Sequence, residues 1–245
     1  MEKGKSPELN TRQIVESETR KNLQHEKEFG WPTYESGLIG NMGGPSYSST
    51  FHSLCPEKYK NIKDYIEKFL KEKTGHAVGL EVGGTGSNLF ADFTKGFIEE
   101  SLSVAIGDGT SSSQKENNRD INHSILLSNA LVPFGFKEIK GKLKNKKVNV
   151  LFERMLGGIV DMPGDLKYWK SMFSLYYSLL DDKALMFIET PGFNYLEGEE
   201  LKKILSNLNL VPGISVDYKD DLGNSFYIRI QKDKNAPADL RAYFK

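Results

Sequence analysis

The stretch His76-Ala77-Val78-Gly79-Leu80-Glu81-Val82-Gly83-Gly84-Thr85-Gly86-Ser87-Asn88-Leu89-Phe90 holds most of the readable chemistry of this chain. An apolar run of strand length passes through a glycine-rich turn into a segment with helical spacing. Glycines at 83, 84 and 86 remove the Cβ atoms that would hold a ligand off the backbone, admit positive φ, and leave the amides of a helix start free to donate. At the carboxyl end of a first strand in an open α/β sheet, such a turn receives the nucleotide-like part of a ligand. A turn kept only for tight strand and helix packing is the competing reading. Glu81, two residues ahead of the first glycine, adds a carboxylate at the strand tip.

Two phosphate-binding patterns fail at the residue level. A dinucleotide fingerprint opening at Gly84 would place Leu89 where a third small residue is needed for close helix packing. A P-loop fails because five residues, not four, separate Gly135 from Gly141-Lys142, and Leu143 stands where a hydroxyl is required. His52 and Cys55 are half of a metal site at most, His123 opens a strand away from the ligand end, and no paired ligand spacing for a metal is present.

The elements that must position the turn follow from apolar periodicity. Runs at Ala77 to Val82, Leu102 to Ile106, Ser124 to Leu127, Val148 to Phe152 and Leu185 to Ile188 have the length and composition of buried parallel strands. Tyr59, Ile62, Ile66, Phe69 and Leu70 make a helical stripe ahead of them, ending near Gly75. Further stripes are Leu89, Phe90, Phe93, Phe97 and Ile98, then Leu166, Trp169, Phe173, Tyr176, Tyr177 and Leu180. A helix near Glu197 to Leu208 precedes Ile214 to Tyr218, the turn-prone Asp220-Asp221-Leu222-Gly223-Asn224, and Phe226 to Ile230, which reads as an antiparallel hairpin. Residues 1–30 are mostly charged and amide side chains with sparse apolar anchors, and Gly30 to Pro56 turns to loop chemistry rich in Gly, Ser, Pro and aromatics.

The acidic residue, variable residue and glycine leading into a glycine-rich turn resemble motif I of the class I S-adenosylmethionine-dependent methyltransferases. Glu81, Gly83, Gly84 and Gly86 carry the resemblance, and Thr85 stands where that family most often has its second glycine. The order of segments is similar too, over about residues 57 to 231. The resemblance implies a Rossmann-like α/β domain, a mostly parallel seven-stranded sheet closed by a C-terminal antiparallel hairpin, with S-adenosylmethionine as cofactor. It implies that Asp108, after the second strand, holds the ribose hydroxyls, where a bare Gly-Asp-Gly turn is the alternative. It places Asn129 near the adenine, where a helix cap is the alternative. Glu153, with Arg154, falls at the end of the fourth strand, where that family arranges its chemistry; an ion pair at a strand end explains the two equally well. The Asn/Asp-Pro-Pro-aromatic tetrapeptide of members that methylate base amines or glutamine amides is absent.

Domain expectations are an N-terminal extension at 1–56 that closes over the cofactor or supplies acceptor contacts, a methyltransferase-like domain at 57–231, and a tail at 232–245. Lys and Arg number 33 against 33 Asp and Glu, so no global field draws the chain to DNA, RNA or an anionic membrane. Six lysines between Lys137 and Lys147 read as a solvated surface before an RNA site. A single cysteine and the lack of an apolar run approaching about 18 residues point to a cytoplasmic protein with no membrane partner. Neutral charge and the aromatic Trp31 to Phe51 stretch favour a small-molecule acceptor over protein or RNA, with His52, Tyr34, Glu153 and Asp161 as candidate bases for a hydroxyl. The alternative is a non-catalytic binding or interaction module on the same fold; a nucleotide-dependent oxidoreductase is disfavoured by Leu89.

Overall fold

Apolar runs with both faces buried can only sit in the middle of a sheet covered on two sides. The computed structural model describes residues 51–71, 76–83, 87–105, 116, 118–128, 130, 133–153, 166–191, 198–220 and 225–244. All six residues of β1 (Ala77–Val82) and of β4 (Val148–Glu153) are buried. They pair in parallel at the centre of a seven-stranded sheet of order β3-β2-β1-β4-β5-β7-β6. β2 (Ile98–Ala105) and β3 (His123–Leu127) extend one side in parallel, and β5 (Leu180–Pro191) continues the other. β7 (Ser225–Lys232) runs antiparallel between β5 and β6 (Ile214–Asp220). This is the mostly parallel seven-stranded α/β sheet with an antiparallel C-terminal pair expected from the resemblance.

The sheet is covered on both faces. α1 (Ile62–Phe69) opens with Asn61 as its cap, the side chain accepting from the Asp64 N–H at 2.8 Å. It packs Ile62, Tyr65 and Ile66 with Leu89 and Phe90, the latter two in α2 (Ser87–Ala91), against Val150, Phe152, Leu185 and Phe187. On the opposite face Phe136 and Ile139 of α3 (Pro133–Lys142), Met172, Phe173, Tyr176 and Tyr177 of α4 (Leu166–Leu179) and Leu201, Ile204, Leu205 and Leu208 of α5 (Gly198–Leu208) cover Leu80, Val82, Leu151, Met186 and Ile188. Gly79 is where α2 docks: a Cβ there would meet the Phe90 ring, 2.8 Å from Cδ1. Gly79→Ala therefore overpacks a closed core and should cost about 1–3 kcal/mol in urea unfolding, with α2 displaced.

Two elements differ from the periodicity. The apolar spacing from Leu89 to Ile98 suggests one helix, yet α2 ends at Ala91, the chain turns at Gly96 with φ 79°, and Ile98 already begins β2. Leu89, Phe90, Phe93 and Phe97 still share one buried cluster, so the same burial face is met by a helix followed by a turn. β5 is longer than Leu185 to Ile188 because its register against β4 slips between Val148 and Val150, and Asn149 takes up the slip. Its Oδ1 accepts from the Val78 N–H at 3.0 Å, while Nδ2 donates to Asp181 Oδ2 at 3.0 Å and to the Lys183 carbonyl at 3.1 Å.

Both ends of the described chain are built into this core. Phe51 and Leu54 are fully buried, and the Arg229 guanidinium donates to the Leu54 carbonyl at 2.6 Å and pairs with Asp217 at 3.6 Å. Leu240 is fully buried in the other cluster, and the Tyr177 hydroxyl donates to the Pro237 carbonyl at 2.8 Å. Among the described residues no helix is long and apolar enough to cross a membrane. The lysines from Lys137 to Lys147 are exposed on α3 and the turn after it, at the amino end of β4. Lys146 is held by Glu100 at 2.9 Å.

Candidate ligand site at the β1 and β4 carboxyl ends

In a doubly wound sheet, a crevice opens where successive crossovers leave for opposite faces. That point lies here between β1 and β4: α2, which follows β1, packs on one face, and α4, which follows β4, packs on the other. Gly83 ends β1 at this position. Its N–H donates to the Val104 carbonyl at 2.9 Å, carrying the ladder one residue past the strand, and its φ of 92° then turns the chain away. Only a residue without Cβ takes that conformation readily, so the bend itself explains the glycine.

The two strand-end glutamates leave the sheet on opposite faces. Glu81 is fully buried beside its register partner Ser103, whose hydroxyl donates to Oε2 at 3.1 Å. Glu153 lies in register with Val82 of β1 and Ile188 of β5, and adjacent strands sit about 4.8 Å apart. Its carboxyl is fully buried, and neither oxygen has a hydrogen-bond donor among the described residues. Burial, with the Glu189 charge adding to it, pushes this carboxyl well above the ordinary glutamate range. A buried carboxylate without a donor is costly, so burial here favours the neutral acid over the charged form.

A stability consequence follows with a definite sign. The unfolded chain loses the Glu153 proton near pH 4.5 while the folded chain keeps it to higher pH. Stability contributed by the protonated form is therefore complete below that pH and is lost as pH rises toward the folded value, at about 1.4 kcal/mol per pH unit. Glu153→Gln should remove that slope in urea titrations carried upward from about pH 5, the side to which the shift points.

Of the residues expected in the site, Glu81, Gly83 and Glu153 are brought to neighbouring strand ends; Gly84, Gly86, Asp108 and Asn129 lie outside the described residues, as do Thr85, Arg154, Asp161, Tyr34 and the segment 1–50. His52 is exposed, and His123 is buried with Nδ1 2.8 Å from the Ser101 hydroxyl, at the amino end of β3. Burial raises the Cys55 thiol above its ordinary value, which keeps it from acting as a thiolate. Among the described residues no group of three or more His, Cys, Asp or Glu could hold a metal ion. Sequence reading missed Glu189, although its position just past an apolar run repeats the signal that picked out Glu153. Ser103, whose link to Glu81 depends on the β1 and β2 register, left no signal.

No family model matches the chain, nor does any curated protein sequence. Solved structures do resemble it in shape. One is the plantazolicin methyltransferase BamL in complex with a triazolic desmethylPZN analog and SAH, 17% identical over 91% of this chain and 99% of that one, TM-score 0.47. A putative methyltransferase, yhhF, from Escherichia coli is 18% identical over 70% of this chain and 84% of that one, TM-score 0.42. An rRNA methylase from Streptococcus thermophilus is 10% identical over 69% and 95%, TM-score 0.45. At these values the likeness stands beside the strand order as an observation of shape, and the molecules those proteins bind are theirs alone.

Proposed function

We propose that this chain is an S-adenosylmethionine-dependent methyltransferase acting on a small-molecule acceptor. The observation that carries the reading is the juxtaposition of the positive-φ Gly83 bend with the donorless Glu153 carboxyl across the β1 and β4 crevice. The residues fit such a donor. A bend without Cβ lets an adenosyl group approach backbone, and buried carboxyls on both sides suit its polar and cationic parts. Glu81, Gly83, Gly84 and Gly86 would form the first wall, Asp108 and Asn129 would meet ribose and adenine, and Glu153 would face the reacting end. When bound, the donor supplies a methyl group on an already activated sulfonium. The chain's part is then to hold donor and acceptor in line and exclude water, which accounts for several kcal/mol of rate without a nucleophile or metal.

The acceptor side is read from Phe51. Its ring lies 6.0 Å from Phe152, 5.4 Å from Phe187 and 6.1 Å from Tyr227, all toward the carboxyl ends of β4 and β5. The segment upstream therefore joins the domain at the ligand end, which favours it as the source of acceptor contacts. An even charge balance and a lone cysteine accord with a small acceptor and a cytoplasmic setting.

Calorimetry with S-adenosylmethionine, S-adenosylhomocysteine and NAD tests the reading: the first two should bind at micromolar levels and NAD should not. Transfer of label from methyl-labelled donor to a component of a small-molecule extract is the expected second result. Binding with no transfer to small molecules, protein or RNA would support a binding module in place of an enzyme.

A further inference from the structure

Glu153 is more than a wall of the crevice. Its carboxyl has no exposed surface and no donor, and its register neighbours, Val82 and Ile188, are apolar. The nearby charge is another acid: Glu189, one residue beyond Ile188 on β5, whose own carboxyl disfavours a second negative charge. On β1 the other acid, Glu81, leaves by the opposite face toward Ser103. On the helices that cover the Glu153 face, Lys170 of α4 and Glu200 of α5 pair with each other at 3.7 Å. No cation among the described residues neutralises Glu153, and an unpartnered buried carboxyl favours its neutral form.

Resting on the donor reading above, we infer that Glu153 is the counter-ion of a cationic ligand centre, giving up its proton as a sulfonium enters and taking it back when a neutral thioether is left. The Glu153 O–H bond breaks, the proton passes to solvent, and the electron pair stays on the carboxylate that faces the cation. Against a thioether that carboxylate again has no partner, and it is reprotonated. The crevice thereby tells donor from spent product by charge, and release of the product is favoured because burying an unpaired carboxylate opposes its retention.

Titration calorimetry on the full chain, run at pH 7 in two buffers of different ionisation enthalpy, counts the protons. The sulfonium lowers the pKa of the nearby α-amino group, so the two ligands differ in their own proton uptake; running both on Glu153→Gln measures that difference, and the excess release in the wild-type chain reports Glu153. Binding of S-adenosylmethionine should release more protons than binding of S-adenosylhomocysteine, and its relative affinity should rise with pH. Glu153→Gln should erase that excess and lower the affinity ratio on the order of tenfold, the factor one pKa unit carries. Glu189→Gln, which removes the neighbouring acid, should shrink the proton difference while keeping the preference for the sulfonium. A wild-type difference in proton release no larger than that of Glu153→Gln would overturn the inference with the donor reading left standing, as would an unchanged ratio in a folded Glu153→Gln. Failure of both ligands to bind would overturn the donor reading itself.

Discussion

Replacing Gly83 by valine is expected to weaken S-adenosylmethionine binding by about a hundredfold or more while leaving the chain folded. The bend at Gly83 has φ 92°, where a β-branched residue is strained by about 1–3 kcal/mol, so the free turn relaxes to another shape; restoring the bend on binding costs that strain, and every 1.4 kcal/mol is about tenfold in affinity. Two methyl groups at the mouth of the crevice would add a direct block. The Gly83 amide already serves the Val104 carbonyl, so the loss would arise from the shape of the turn and not from a missing donor to the ligand. Calorimetry beside a melting curve checks this. Gly83→Ala, with a smaller block at the same φ, should fall between the two.

The largest stability effect is expected at Asn149. Its amide makes three bonds inside the sheet, to the Val78 N–H, to Asp181 and to the Lys183 carbonyl. Asn149→Ala removes all three bonds and strips the buried Val78 N–H of its Asn149 acceptor, at about 1–3 kcal/mol for that group and about 1 kcal/mol for each of the other two bonds, so a loss of about 3 kcal/mol or more is expected in urea unfolding. Asn149→Asp should be no better. It keeps an acceptor for Val78 but loses both donors and sets a carboxylate against Asp181.

The parallel core was legible because β1 and β4 bury both faces, which forces nearly continuous apolar runs that stand out from any amphipathic segment. The hairpin was legible because β6 and β7 flank a run of turn residues. The Leu89 to Ile98 stripe misled because burial, not helix geometry, sets apolar spacing: Phe93 and Phe97 reach the same cluster from a turn, their rings stacked 5.7 Å apart. Asn149 was unreadable as a structural bridge, since its partners lie across two strands and depend on a slip in register that no local pattern encodes. In the site, Glu81, Gly83 and Glu153 could be picked out because each sits just at or past the end of an apolar run. Whether an acid at a strand end has a donor depends on what the other strands bring, which is why Glu153 and a surface ion pair look alike in sequence until the fold separates them.

The central claim is that an adenosyl sulfonium donor lies across the carboxyl ends of β1 and β4. A crystal structure of the full chain grown with S-adenosylhomocysteine tests it most directly. The ligand should lie against the backbone at Gly83 with its sulfur end toward Glu153; ligand density at another edge of the sheet, or a Gly83 bend filled by the protein's own side chains in crystals that hold the ligand, would contradict it.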